Sequence, residues 1–167
     1  MNINVRKLRR KELHIALSLA ERIFDDYDLF WFKYWLPRST ILVAESNDMP
    51  LGIAELVIRK TICGTTGVIM YLGVLEEFRR KGIGKILVIE AEKYFKSRGI
   101  RTFMASTRSW NKPSIILFTQ LGYKALYIDE LYNRLGYVIT YNLVASLHAY
   151  EDDVIFVKSL DESCLLI

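Results

Sequence analysis

Apolar residues recur at Leu13, Ala16, Leu17, Ala20 and Phe24, three- and four-residue steps that put them on one face of an α-helix. Residues 2–7 ahead of it predict a short strand. An aromatic-rich segment, residues 27–35, follows and stops near Pro37. The period then changes. Residues 40–46, 51–60 and 66–75 are dense in Val, Ile, Leu and Thr and are separated by the turn signals Asn47-Asp48-Met49-Pro50 and Cys63-Gly64, so three strands joined as antiparallel hairpins are expected. Helical spacing returns at residues 83–98, where Ile83, Ile86, Leu87, Ala91, Tyr94 and Phe95 share a face and Gly99 ends the run. Residues 102–106 predict another strand. A helix then opens with Pro113, suited to a first helical turn, and closes at Gly122. Residues 123–160 are less regular, with a last strand at 154–158. No linker, repeat or low-complexity tract interrupts the chain, so one domain over residues 1–160 and a tail at 161–167 are expected.

Composition narrows the class. The chain has 167 residues, 51% hydrophobic and 25% charged, enough for one sizeable core and too apolar for a disordered chain. A net charge of +4 and a pI near 9.0 favour anionic ligands without separating nucleic acid from a phosphorylated cofactor. Cys63 and Cys164 lie far apart and form no CxxC pair, so neither a disulfide framework nor a metal site is suggested, and a reducing, cytoplasmic setting follows. No run of about 18 apolar residues is present, and no membrane association is expected. The basic residues 6–11 followed by apolar 13–20 imitate a signal peptide, but the apolar stretch is short and broken by His14 and Ser18, which favours the helix. Cys164-Leu165-Leu166-Ile167 has the form of a prenylation box, yet acidic Asp161 and Glu162 stand where basic residues would be needed, so a frayed apolar tail is expected instead.

The chemistry concentrates in one turn. Arg79-Arg80-Lys81-Gly82-Ile83-Gly84-Lys85 lies between a strand and the long helix. A helix N-terminus offers unpaired N–H groups and partial positive charge, and glycines let that backbone approach an anion. The turn is no Walker loop, because Ile86 follows Gly84-Lys85 where Ser or Thr is required, and it is no dinucleotide fingerprint, because Leu87 occupies the third glycine position. A solvated helix start is the plain alternative.

Arg79-x-x-Gly82-x-Gly84 resembles the Arg/Gln-x-x-Gly-x-Gly/Ala signature of the GNAT acetyltransferases, and Leu72-Gly73-Val74 resembles their fourth strand. Asn111-x-x-Ser114-x-x-Leu117-Phe118-x-x-x-Gly122-Tyr123 resembles the family's second motif, so the likeness covers about residues 66 to 124. It implies a mixed α/β (α+β) fold with a central, mostly antiparallel sheet, splayed fourth and fifth strands and helices on both faces. It also implies an N-acetyltransferase that passes an acetyl group from acetyl-CoA (coenzyme A) to a primary amine by direct attack on the thioester, the amine belonging to a small molecule, a peptide N-terminus or a lysine. The resemblance assigns Leu72, Gly73 and Val74 to the pantetheine arm, and Arg79, Arg80, Lys81, Gly82, Ile83, Gly84 and Lys85 to the pyrophosphate. Asn111, Ser114 and Phe118 match cofactor-facing positions, although Asn111 fits equally as a helix cap.

Acyl transfer needs a neutral amine, and a lysine of pKa about 10.4 is neutral in fewer than about one molecule in a thousand at pH 7. A general base is therefore useful. Glu55, mid-strand on the side of Ile53 and Val57, is the candidate, the other reading being a glutamate that faces solvent or pairs with Arg59. Glu45 and Tyr71 are reserves. The family's acid is a tyrosine, and Phe118 stands there; unassisted departure of a thiolate of pKa about 8.5 costs about 2 kcal/mol at pH 7. Tyr123 is the next candidate acid, with packing as its other reading. Tyr27, Phe30, Trp31, Phe32, Tyr34 and Trp35 either line an acceptor pocket or fill the core, and the core is favoured. Tyr127, Tyr132, Tyr137 and Tyr141 are candidates for the opposite wall. The chain is expected as a monomer or homodimer. A catalytically silent coenzyme-A-binding domain is the alternative function. A nucleic-acid-binding module is disfavoured, because it leaves the glycines unexplained.

Overall fold

The computed structural model describes residues 1–161, 164, 166 and 167. Two compact units form, and neither is contiguous in sequence: Met1–Val57 with Ile69–Tyr94, and Ile58–Val68 with Phe95–Ile167. Seven strands form among the described residues, mostly antiparallel.

β1 (Asn4–Lys7) of the first unit runs antiparallel to β2 (Thr40–Ser46), which pairs antiparallel with β3 (Met49–Thr61); β4 (Gly64–Val74) follows, and residues 58–68 of these two strands and their turn belong to the second unit. Asn47 and Asp48 both adopt positive φ, 49° and 62°, which makes the β2–β3 connection a two-residue turn and starts β3 at Met49 rather than at 51. The register sets Ile41 opposite Glu55 and Val43 opposite Ile53. α1 (Leu13–Ile23) buries Ala16 and Ala20 of the expected face, with Leu19 beside them, against a core containing Phe32, Ile41, Val43 and Ile53, while Leu13, Leu17 and Phe24 of that face are partly buried. The aromatic segment is helical too: α2 (Asp26–Trp35) opens on Asp25, whose carboxylate accepts from the Asp28 N–H at 2.8 Å. Only one side of such a helix is covered, which corrects the expectation of an all-core segment. Phe32 and Trp35 are buried, while Tyr27, Phe30 and Tyr34 are exposed. α3 (Ile83–Ser97) follows the cationic turn.

The second unit contains residues 58–68, β5 (Thr102–Thr107), α4 (Lys112–Gln120), β6 (Lys124–Tyr127), α5 (Ile128–Leu135), α6 (Tyr137–Leu147) and β7 (Val154–Ser159). β7 pairs antiparallel with β5 over six residues and with β6 over four. Phe95 stacks on Phe103 at 5.9 Å, and Phe118 on Phe156 at 4.7 Å. β6, α5 and α6 fill the region where the sequence predicted no defined element. The tyrosines expected to line a wall are distributed differently: Tyr127, Tyr137 and Tyr141 are exposed, and Tyr132, Tyr137 and Tyr141 stack in series at 5.7 Å.

The expectation of unpaired cysteines is corrected here. Cys63, beside the β3–β4 turn, is disulfide-bonded to Cys164, their Cα atoms 4.5 Å apart across 101 residues of sequence. Spacing cannot reveal a pair made by the fold, and the reducing setting inferred from free thiols loses that support. The tail is not frayed where it is described: Cys164 and Leu166 are buried, and the Leu166 carbonyl accepts from Arg134 Nη2 at 2.9 Å. Glu162, Ser163 and Leu165, including part of the prenylation-like box, lie outside the described residues.

Candidate active site

The cationic turn belongs to the first unit. β4 ends at Val74, a 3₁₀ turn covers Glu76–Phe78, and the chain passes through Arg80 at φ 61° and Gly82 at φ 81° before α3 begins at Ile83. A side chain at Gly82 would meet open space, so it is the left-handed backbone that calls for glycine. Gly73 is glycine for the opposite reason, since a Cβ there would collide with Ile23 and touch Phe24.

The Ile86 N–H is bonded to the Gly82 carbonyl at 3.1 Å, so Ile83, Gly84 and Lys85 occupy the first turn, whose N–H groups lack intrahelical acceptors. Ile83 is buried and anchors the turn; Arg79, Arg80, Lys81 and Lys85 are exposed. Two of these cations are partly engaged. Arg79 Nε donates to the Val74 carbonyl at 3.1 Å, and Lys81 Nζ donates to the Glu77 carbonyl at 3.3 Å while standing 5.0 Å from the Phe78 ring centre. Arg80 and Lys85 make no ion pair among the described residues. The donors and glycines fit a diphosphate: fixed N–H groups, two free cations and no side chain over Gly82.

Glu55 is also in the first unit. It is fully buried, in the run of apolar residues from Leu51 to Val57. Ser39 Oγ donates to its Oε1 at 2.7 Å, and Oε2 has no hydrogen-bond partner among the described residues. Burial pushes its carboxyl from an ordinary 4.5 up to about 8, with the Ser39 hydrogen bond pulling the other way. Arg59 donates from Nε to the Ser146 carbonyl at 2.9 Å in the second unit. Of the reserves, Glu45 is ion-paired with Arg6 at 2.9 Å, and Tyr71 packs edge-on against Phe24 and Phe32.

In the second unit, Asn111 caps α4. Its Oδ1 accepts from the Ser114 N–H at 3.4 Å and its Nδ2 donates to Thr107 Oγ1 at 3.1 Å. Phe118 is buried between Phe156 and Tyr123, the latter edge-on at 5.0 Å. Tyr123 is itself buried beneath Lys158 Nζ, 5.4 Å from its ring centre. Ser39 escaped the sequence reading: its partner is set by strand register, which no local motif records.

Residues 8–123 match the family model "Acetyltransferase (GNAT) family". A mycothiol acetyltransferase of Pseudarthrobacter chlorophenolicus is 27% identical over 117 residues, covering 69% of this chain and 34% of that protein, so the chain spans about a third of that relative's length. Two solved structures share the fold at 18% identity. An IAA acetyltransferase from Bacillus cereus superposes with TM-score 0.68 over 95% of this chain and 100% of its own. Arabidopsis thaliana Naa50, in complex with the bisubstrate analogue CoA-Ac-MVNAL, gives 0.65 over 96% and 100%. The glycine-bearing cationic turn ahead of α3 therefore has a family around it, and the chain belongs to the GNAT acetyltransferases.

Proposed function

We propose that this acetyltransferase passes an acetyl group from acetyl-CoA to a primary amine by direct attack on the thioester, with Glu55 as general base. The observation that carries the reading is the turn from Arg79 to Lys85, where two residues of positive φ and a helix start present N–H groups beside Arg80 and Lys85. These groups would hold the diphosphate, and their orientation is fixed before binding, so little reorganisation accompanies it. Bound acetyl-CoA supplies the activated acyl carbon. Glu55, fully buried, takes a proton from the amine through water, and its raised midpoint makes it a stronger base than an exposed carboxylate.

At pH 7 about one Glu55 in ten is ionised, so kcat/KM climbs about tenfold per pH unit below its midpoint and levels off above about 8. The acceptor is an amine of a small molecule or a peptide; Naa50's peptide-bearing analogue makes the peptide class worth testing first.

Phe118 favours a second reading. Its ring carries no acidic proton and is committed to packing with Phe156, as in a domain that binds coenzyme A without turnover. Thiol release from acetyl-CoA with a panel of amines and short peptides separates the two. Turnover that disappears in Glu55→Gln supports the enzyme. Tight acetyl-CoA binding with no turnover on any acceptor supports the silent domain. Unchanged acetyl-CoA affinity after Arg79→Glu with Arg80→Glu removes the proposed anion site altogether.

A further inference from the structure

We propose that Ser39 is a positioning residue for Glu55: its hydroxyl fixes Oε1 and leaves Oε2 as the oxygen that takes the amine's proton. The inference rests on the reading of Glu55 as base. Ser39 lies between the 3₁₀ turn Leu36–Arg38 and β2, where Pro37 restricts the backbone. Ile41 lies opposite Glu55 in the β2–β3 register, so Ser39, two residues earlier on the same face, is its diagonal neighbour. The hydroxyl has one proton and two acceptors within reach, Glu55 Oε1 at 2.7 Å and the Leu36 carbonyl at 3.3 Å. The shorter, charge-assisted bond to the carboxylate wins.

The environment leaves this bond decisive. Glu55 is fully buried, and burial and the Ser39 hydrogen bond are the influences on its charge. A carboxylate tied at both oxygens would be a weak base, and one tied at neither would turn freely about its last torsion. One tie gives a fixed group with one basic oxygen, Oε2, which has no partner among the described residues. In the reaction, the ammonium form's first proton reaches buried Oε2 through water and the neutral amine attacks; as the C–N bond forms the C–S bond breaks, and the leaving thiolate takes the second N–H proton and departs as thiol. Ser39 keeps its own proton throughout.

The test is a titration of the Glu55 carboxyl by infrared or ¹³C NMR in the full chain, the signal assigned by its loss in Glu55→Gln. The wild-type midpoint lies near about 8, and Ser39→Ala moves it upward, because the bond that favours the charged form is gone. Ser39→Thr restores it. At pH 7, kcat of Ser39→Ala falls at least about tenfold, with KM for acetyl-CoA unchanged and activity recovered at alkaline pH. A merely structural defect would lower activity equally at every pH. An unmoved midpoint in folded Ser39→Ala overturns the inference while an inactive Glu55→Gln keeps the base reading; full turnover by Glu55→Gln overturns both. Should the alanine variant not hold its fold, Ser39→Cys, a weaker donor of similar size, carries the same titration.

Discussion

Ionising Glu55 opposes folding. In the unfolded chain its carboxyl titrates near 4.5 and in the folded protein near about 8, so the folded state binds the proton more tightly and stability falls as pH rises through that window. At pH 7 the penalty reaches about 3 kcal/mol as an upper bound. Glu55→Gln removes the charge and keeps the acceptor for Ser39. Denaturant melts are expected to show the variant more stable than wild type by about 1–2 kcal/mol at pH 8, with the gap closing between about pH 6 and 7 and reversing below, because the amide's unpaired hydrogens take a pH-independent part of the gain. A gap independent of pH would contradict the buried ionisation. Arg80 gives a second residue-scale outcome. It holds φ 61° without being glycine, so Arg80→Gly keeps or raises Tm by relieving that backbone while removing a free cation. The expected result is a several-fold rise in KM for acetyl-CoA at pH 7.5 with no loss of Tm.

At the scale of elements, α4 is held at its start by Asn111. Asn111→Ala removes the cap and the bond to Thr107, and a loss of about 1 kcal/mol in a denaturant melt is expected, because the first-turn N–H of Ser114 then has no side-chain acceptor. Whether KM for acetyl-CoA changes as well separates a cap from a cofactor contact. The turn before α3 was legible because its glycines and cations are adjacent in sequence, and the burial of Glu55 because it shares a strand face with Ile53 and Val57. Ser39 was not legible, since its pairing with Glu55 follows from register across a two-residue turn. α6 was hidden for another reason. Tyr137, Val138 and Ile139 are exposed and Leu143, Val144 and Leu147 buried, so it is apolar on both sides and shows no helical contrast. β6, at four residues, is too short to carry a period.

For the whole molecule, the disulfide adds a constraint that neither motif hints at. Opening the 101-residue loop by Cys63→Ser, or by reduction, is expected to lower stability by about 2–5 kcal/mol, seen as a lower Tm in the presence of a dithiol and no further change on adding dithiol to the variant. Insensitivity of the wild type to dithiol would mean the bond is absent in solution. The bond joins two stretches of the second unit, while residues 69–94 of the first unit lie between them in sequence. Those residues, with the cationic turn among them, are thus threaded into a closed covalent ring. A protease that nicks the exposed backbone around Arg80 would leave the two pieces tethered, so the cut protein migrates as one band on a gel until a reductant lets the halves part.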